Sequence, residues 1–75
     1  NQVKDIKLIE SSGCMDLLDE KTKVAATYRL KYKEASLLEL SEIISLETKI
    51  PITKSGLHHR FTKIKEFANK IRNND

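Results

Sequence analysis

Between positions 53 and 64 the chain reads Thr53-Lys54-Ser55-Gly56-Leu57-His58-His59-Arg60-Phe61-Thr62-Lys63-Ile64, with cations, imidazoles and hydroxyls set among apolar residues. Lysine and arginine neutralise phosphates, while Ser, Thr and His side chains exchange hydrogen bonds with base edges, so this composition suits recognition of a nucleic acid. If the stretch is helical and Leu57 is placed at 0°, Phe61 and Ile64 fall near ~40° and ~340° and define a core face. Ser55, His59 and Thr62 then lie at about 160°, 200° and 140°, with His58 near ~100° and Lys63 near ~240°. Lys54 and Arg60 take the flanks, from which long cationic side chains reach phosphates. Gly56 opens the backbone near the helix start to close approach, at about 1 kcal/mol of helix propensity relative to alanine.

Charge supports this emphasis. Residues 49–72 hold seven basic side chains against one acid, Glu66, a local +6 within a chain whose net charge is +3. The remaining positions carry seven basic and ten acidic residues. Segregation of this kind concentrates positive potential on one segment, which a surface charged only for solubility does not require. Glu66 would face phosphates unfavourably, so the helix is expected to leave the nucleic acid by its third turn or to pair Glu66 with Lys63 or Lys70.

Other chemistries find less support. Adjacent His58 and His59 point to different sides of a helix and, with the single Cys14, make no familiar metal-ligand spacing, so no metal or other cofactor is expected. Cys14 has no cationic or imidazole neighbour in sequence that would mark a nucleophile, and no catalytic constellation emerges. Tyr28 and Tyr32 read as the edge of a core. With 5% aromatics and no strand platform, single-stranded RNA stacking is poorly served. A lone cysteine and the missing apolar runs point to a reducing, cytoplasmic setting without membrane insertion or a signal peptide.

The elements that must hold the basic stretch follow from spacing and caps. Seventy-five residues, 33% charged with two glycines and one proline, favour one small all-α domain. Four helices are expected, at about 2–11, 20–32, 37–45 and 54–72. Val3, Ile6, Leu8 and Ile9 mark the first, stopped by Ser11-Ser12-Gly13. Asp16 or Asp19 caps the second, with Val24, Ala25, Tyr28 and Tyr32 as its stripe. Ser36-Leu37-Leu38-Glu39 is a capping-box pattern that starts the third helix, with Leu37, Leu40, Ile43 and Ile44 inward and Glu39, Ser41 and Glu42 outward. The free amides at that capped end make Ser36 a further candidate phosphate contact. Pro51 prevents a continuous helix across the joint and restricts Ile50, so Thr53 becomes the cap of the fourth helix. Leu57, Phe61, Ile64, Ala68 and Ile71 form its stripe, and Asn73-Asn74-Asp75 is read as a frayed end. The pair of helices outlines a helix-turn-helix DNA reader.

Arg29-Leu30, Glu34-Ala35-Ser36-Leu37-Leu38-Glu39-Leu40 and Lys54-Ser55-Gly56-Leu57-His58-His59-Arg60 together resemble the C-terminal domain of the WhiA family of bacterial transcription regulators. In that family a typical core reads E-A-S-L-x-E-L followed by S-K-S-G-[VI]-N-H-R-L-R-K-L. Lys54, Ser55, Gly56, His59, Arg60 and Lys63 match it in place, and the likeness covers roughly residues 18–72. The resemblance implies a helix-turn-helix domain similar to sigma factor region 4, cytoplasmic and nucleoid-associated binding of double-stranded DNA, and an N-terminal homing-endonuclease-like domain elsewhere in the full-length protein. It further implies roles in sporulation or cell division. The alternative function is a protein-interaction module whose basic helix docks an acidic surface on a sigma factor or RNA polymerase. Three departures stand out: His58 in place of Asn, Thr62 in place of a common Arg, and a longer 45–52 connection. Lys33 stands where the family often has proline, which could lengthen the second helix.

Overall fold

The computed structural model describes residues 2–73, which form four α-helices: α1 (Gln2–Ser11), α2 (Glu20–Lys31), α3 (Leu37–Thr48) and α4 (Lys54–Asn73). A single 3-10 turn, Met15–Leu17, precedes α2. Asn74 and Asp75, expected to fray, lie outside the described residues, whereas Asn73 is the last residue of α4.

Helix α1 ends where Gly13 adopts a left-handed φ of 72°. Its neighbours close the end with Gly13 N–H to Glu10 O at 3.1 Å and Cys14 N–H to Ile9 O at 3.1 Å. These bonds satisfy carbonyls that the last turn leaves open. At the start of α2 the cap is Asp19, whose Oδ1 accepts the Thr22 amide at 3.0 Å. Asp16 instead pairs with Lys23 at 2.9 Å.

The buried face of α2 consists of Thr22, Ala25, Ala26 and Arg29, whereas Val24, Tyr28 and Tyr32 are only half-buried. The expected stripe was thus rotated toward the edge, because two alanines allow close helix contact and an arginine goes inside. Despite Lys33 in place of the family proline, α2 stops at Lys31. Arg29 explains the stop: its Nη1 donates to Tyr32 O at 3.3 Å, Lys33 O at 3.3 Å and Ala35 O at 2.6 Å. One guanidinium thereby caps the α2 end and the α2–α3 turn, and it lies 5.4 Å from the centre of the Phe61 ring. Its Nε has no hydrogen-bond partner, and burial pushes the Arg29 pKa below its ordinary value.

The capping box at α3 is complete, with Glu39 N–H to Ser36 Oγ at 3.1 Å and Ser36 N–H to Glu39 Oε1 at 2.9 Å. Leu40, Ser41 and Ile44 are the buried residues of α3, so Ser41 faces inward rather than outward. Its hydroxyl is satisfied locally by Leu38 O at 2.7 Å, which removes the cost of burying it. Nor does α3 stop near Ser45. It continues to Thr48, and Glu47 in the added turn accepts hydrogen bonds from Tyr28 Oη at 3.2 Å and Tyr32 Oη at 3.0 Å. The two rings are stacked, 6.3 Å apart and 10° from parallel. The helix ends when Lys49 turns left-handed at φ 61°, ahead of Pro51.

The core draws Ile6 and Ile9 from α1, Ala25 and Ala26 from α2, Leu40 and Ile44 from α3, and Leu57, Phe61, Ile64 and Ala68 from α4. Helix α4 touches all three other helices, and so its orientation is fixed by one apolar stripe pressed against the rest of the domain.

Candidate nucleic-acid interface

The joint between α3 and α4 decides how α4 is presented. Ile52 bonds back to Ser45 at both backbone groups: its N–H donates to Ser45 Oγ at 2.9 Å, and that hydroxyl donates to Ile52 O at 3.2 Å. Thr53 then caps α4, its Oγ1 accepting the Gly56 amide at 3.0 Å. A Cβ added at Gly56 would stand 3.2 Å from that same Oγ1. The glycine therefore makes room for the cap of its own helix, whatever else approaches from outside.

With Leu57, Phe61, Ile64 and Ala68 buried, the opposite side of α4 is fixed as the outer face. Lys54, Ser55, His58, His59, Thr62 and Lys63 are all exposed, while Gly56 and Arg60 are half-buried. The side chains of Ser55, His58, His59 and Lys63 make no hydrogen bond or ion pair to another described residue, which leaves them free to meet a ligand. Thr62 differs: its hydroxyl donates to His58 O at 3.1 Å, leaving it an acceptor.

The sequence-predicted residues spread around the exposed side of α4 and meet different neighbours. His58 and Thr62 border an open cleft of about 460 Å³ against α1, beside Gln2, Asp5 and Lys65. Lys63 faces the other way, toward Asp19 and Thr22 at the start of α2. Asp19 is held below the usual carboxylate range first by its hydrogen bonds from Thr22 and then by the charges of Lys63 and Arg60. Arg60 lies further round, against Val24, Ile44 and Ile52. Between these flanks the crest belongs to Ser55 and His59.

Besides Asp19, two acidic groups narrow the cationic surface. Arg72 is tied to the nearly buried Asp5 at 2.7 Å, so it joins α4 to α1 and leaves the pool of free cations. At Ser36 the Glu39 carboxylate sits within the capping box and is kept ionised more readily by the Ser36 backbone and hydroxyl. A negative charge there opposes a phosphate. Among the described residues no group of three or more His, Cys, Asp or Glu is placed to hold a metal, and no helix is long and apolar enough to cross a membrane.

The residues that spacing missed are Arg29, Asp5 and Glu47, all of which position elements without touching the outer face. Arg29 alone had a usable signal, because it follows Thr22, Ala25 and Ala26 on one helical face.

The architecture offers an exposed helix with hydrogen-bonding groups along its crest and cations on its shoulders. Such a helix can enter a groove about 12 Å wide with its crest toward base edges and its shoulders toward phosphates. Comparison with known proteins agrees with the helical pair. Residues 1–68 match the family model described as the WhiA C-terminal HTH domain. A protein of Oceanobacillus iheyensis named "Probable cell division protein WhiA" is 44% identical over 71 residues, 95% of this chain and 22% of its own length. A protein of the same name from Enterococcus faecalis is 45% identical over 71 residues, again 95% of this chain and 22% of the relative. The Staphylococcus haemolyticus protein of that name is 42% identical over 74 residues, 99% of this chain and 23% of the relative. The chain thus spans little more than a fifth of the length of these relatives. No solved structure matches.

Proposed function

The chain belongs to the family of WhiA C-terminal helix-turn-helix domains, and we propose that it is the double-stranded DNA-binding module of a transcription regulator of the WhiA type, acting in cell division. In this reading α4 lies in the major groove and α3 crosses the phosphate backbone. The carrying observation is the outer face of α4, whose exposed Ser55, His58, His59 and Lys63 are unpaired while its other side is committed to the core.

Ser55 and His59 read base edges from the crest, and His58 lines the groove from the α1 side. Thr62 accepts from a base amino group, since its hydrogen is already donated to His58 O. Lys54 and Lys63 hold phosphates, and Gly56 keeps the cap compact where the helix enters. Ser36 is at most a minor phosphate contact because Glu39 stands beside it. Arg60 lies apart, on the joint side. The module works as one domain of a longer cytoplasmic protein, as the length of the relatives suggests. It is a binding module and not an enzyme.

Fluorescence anisotropy with a labelled mixed-sequence duplex at low and moderate salt tests the reading. Lys63→Ala should weaken binding to all duplexes and lower the slope of log affinity against log salt by about one unit. Binding no stronger than that of an unrelated protein of equal charge would overturn it.

A further inference from the structure

We propose that the groove between the first half of α2, the end of α3 and the α3–α4 joint binds a short acidic peptide segment of a partner protein, anchored by one large apolar side chain. Its walls are Val24, Ile44, Ile50, Pro51 and Ile52, and its volume is about 160 Å³. An apolar cavity of about 150 Å³ accepts a benzene ring, so the space matches a single Phe or Leu side chain. Ile50 is 65% exposed although strongly apolar. It cannot readily turn inward, because the left-handed Lys49 and the ring of Pro51 bracket it, and Ile52 is tied to Ser45.

The rim selects the charge of the occupant. Lys21 and Arg60 line the groove and make no hydrogen bond or ion pair within 4.0 Å to a described residue; Glu20 is the acid among the lining residues, and Asp19, capped by Thr22, lies outside the groove within reach of the Arg60 charge. Thr48 contributes no free hydrogen, since its hydroxyl donates to Ile44 O at 2.7 Å and accepts the Ile50 amide at 3.3 Å. A carboxylate suits the guanidinium fork, and the aliphatic walls suit the neighbouring side chain of the same peptide. Aliphatic walls without an aromatic platform give no stacking surface for a base, which favours a peptide over a nucleic acid. One anchored side chain makes a weak, reversible contact.

The isotopically labelled chain titrated with a synthetic peptide centred on Phe-Asp-Glu, and with its Ala-Asp-Glu counterpart, tests this by amide shifts. The Phe peptide should shift Lys21, Val24, Thr48, Ile50 and Ile52 saturably, and the Ala peptide should not. Lys21→Glu, at an exposed position that leaves the core intact, should weaken the Phe peptide roughly tenfold. Equal binding of both peptides, or shifts confined to the outer face of α4, would overturn the proposal. So would shifts in the groove that grow with protein concentration alone, which would assign it to a second copy of the chain. No DNA is needed for the peptide titration, so its outcome is independent of the duplex experiment.

Discussion

The α2–α3 junction and the α3–α4 joint sit at opposite ends of the same helix and are held by different means. At the first, a buried arginine serves three carbonyls and a capping box closes the start of α3, while Tyr28 and Tyr32 reach from α2 to Glu47 in the last turn of α3. At the second, one serine hydroxyl holds Ile52, a lysine takes a left-handed conformation, and Ile50 stays in solvent. The orientation of α3 is therefore set mainly from the α2 side. The entry of α4 is set by a lighter tie and by the apolar stripe that follows it. A reader helix needs its angle fixed, but the joint beside it can offer surface for other contacts.

The largest blow to this contrast should come from Arg29→Met. It keeps much of the volume but leaves the Tyr32, Lys33 and Ala35 carbonyls without their donor. A loss of about 3 kcal/mol is expected, enough to lower Tm by more than about 10 °C in a domain of this size. Thermal melting that moved by only a degree or two would show that the junction is not held by this side chain.

Ser45→Ala should matter less, by about 1 kcal/mol, since the Ile52 backbone is half-exposed and water can replace part of the bond pair. Its signature would be local: faster amide exchange at Ile52 with that of Tyr32 and Ala35 unchanged. Uniformly faster exchange across both joints would erase the distinction.

The smallest effect is expected from acid. Hydrogen bonds from the Ser36 backbone and hydroxyl hold the Glu39 pKa below its usual value. Its contribution is thus complete above the unfolded carboxylate pKa and is lost as pH falls through the lower folded value. Glu39→Gln, which can still accept the Ser36 amide, should flatten that part of the stability curve when melting is followed from neutral pH into the acid range. An unaltered pH dependence would mean that other carboxylates, such as Asp19 with its Thr22 bonds, account for the acid loss.

Local rules made much of the fold legible. Ser36 and Glu39 at the right spacing marked the start of α3, Pro51 separated α3 from α4, and the four-and-three stepping of Leu57, Phe61, Ile64 and Ala68 identified both the buried and the outer face of α4. Each of these signals is contained within a few residues, so neighbouring chain is enough to express it. The errors occurred where side-chain partners that apolar spacing does not encode intervened. The last turn of α3 extends to where Glu47 meets two tyrosines from α2, Ser41 turns inward because Leu38 satisfies its hydroxyl, and α2 buries an arginine that answers carbonyls beyond its own end.

The candidate surface divides in the same way. Helical periodicity by itself determined that Ser55, His59 and Lys63 stand outside, because burying the apolar stripe leaves them no other direction. Only the tertiary structure decided what surrounds each cation: Asp5, 67 positions away in sequence, claims Arg72, and Arg60 lines a groove with Val24, Ile44 and Ile52 while its charge reaches Asp19. Charge counts along a chain are blind to such pairings, since an ion pair depends on distance in space and helix packing sets that distance.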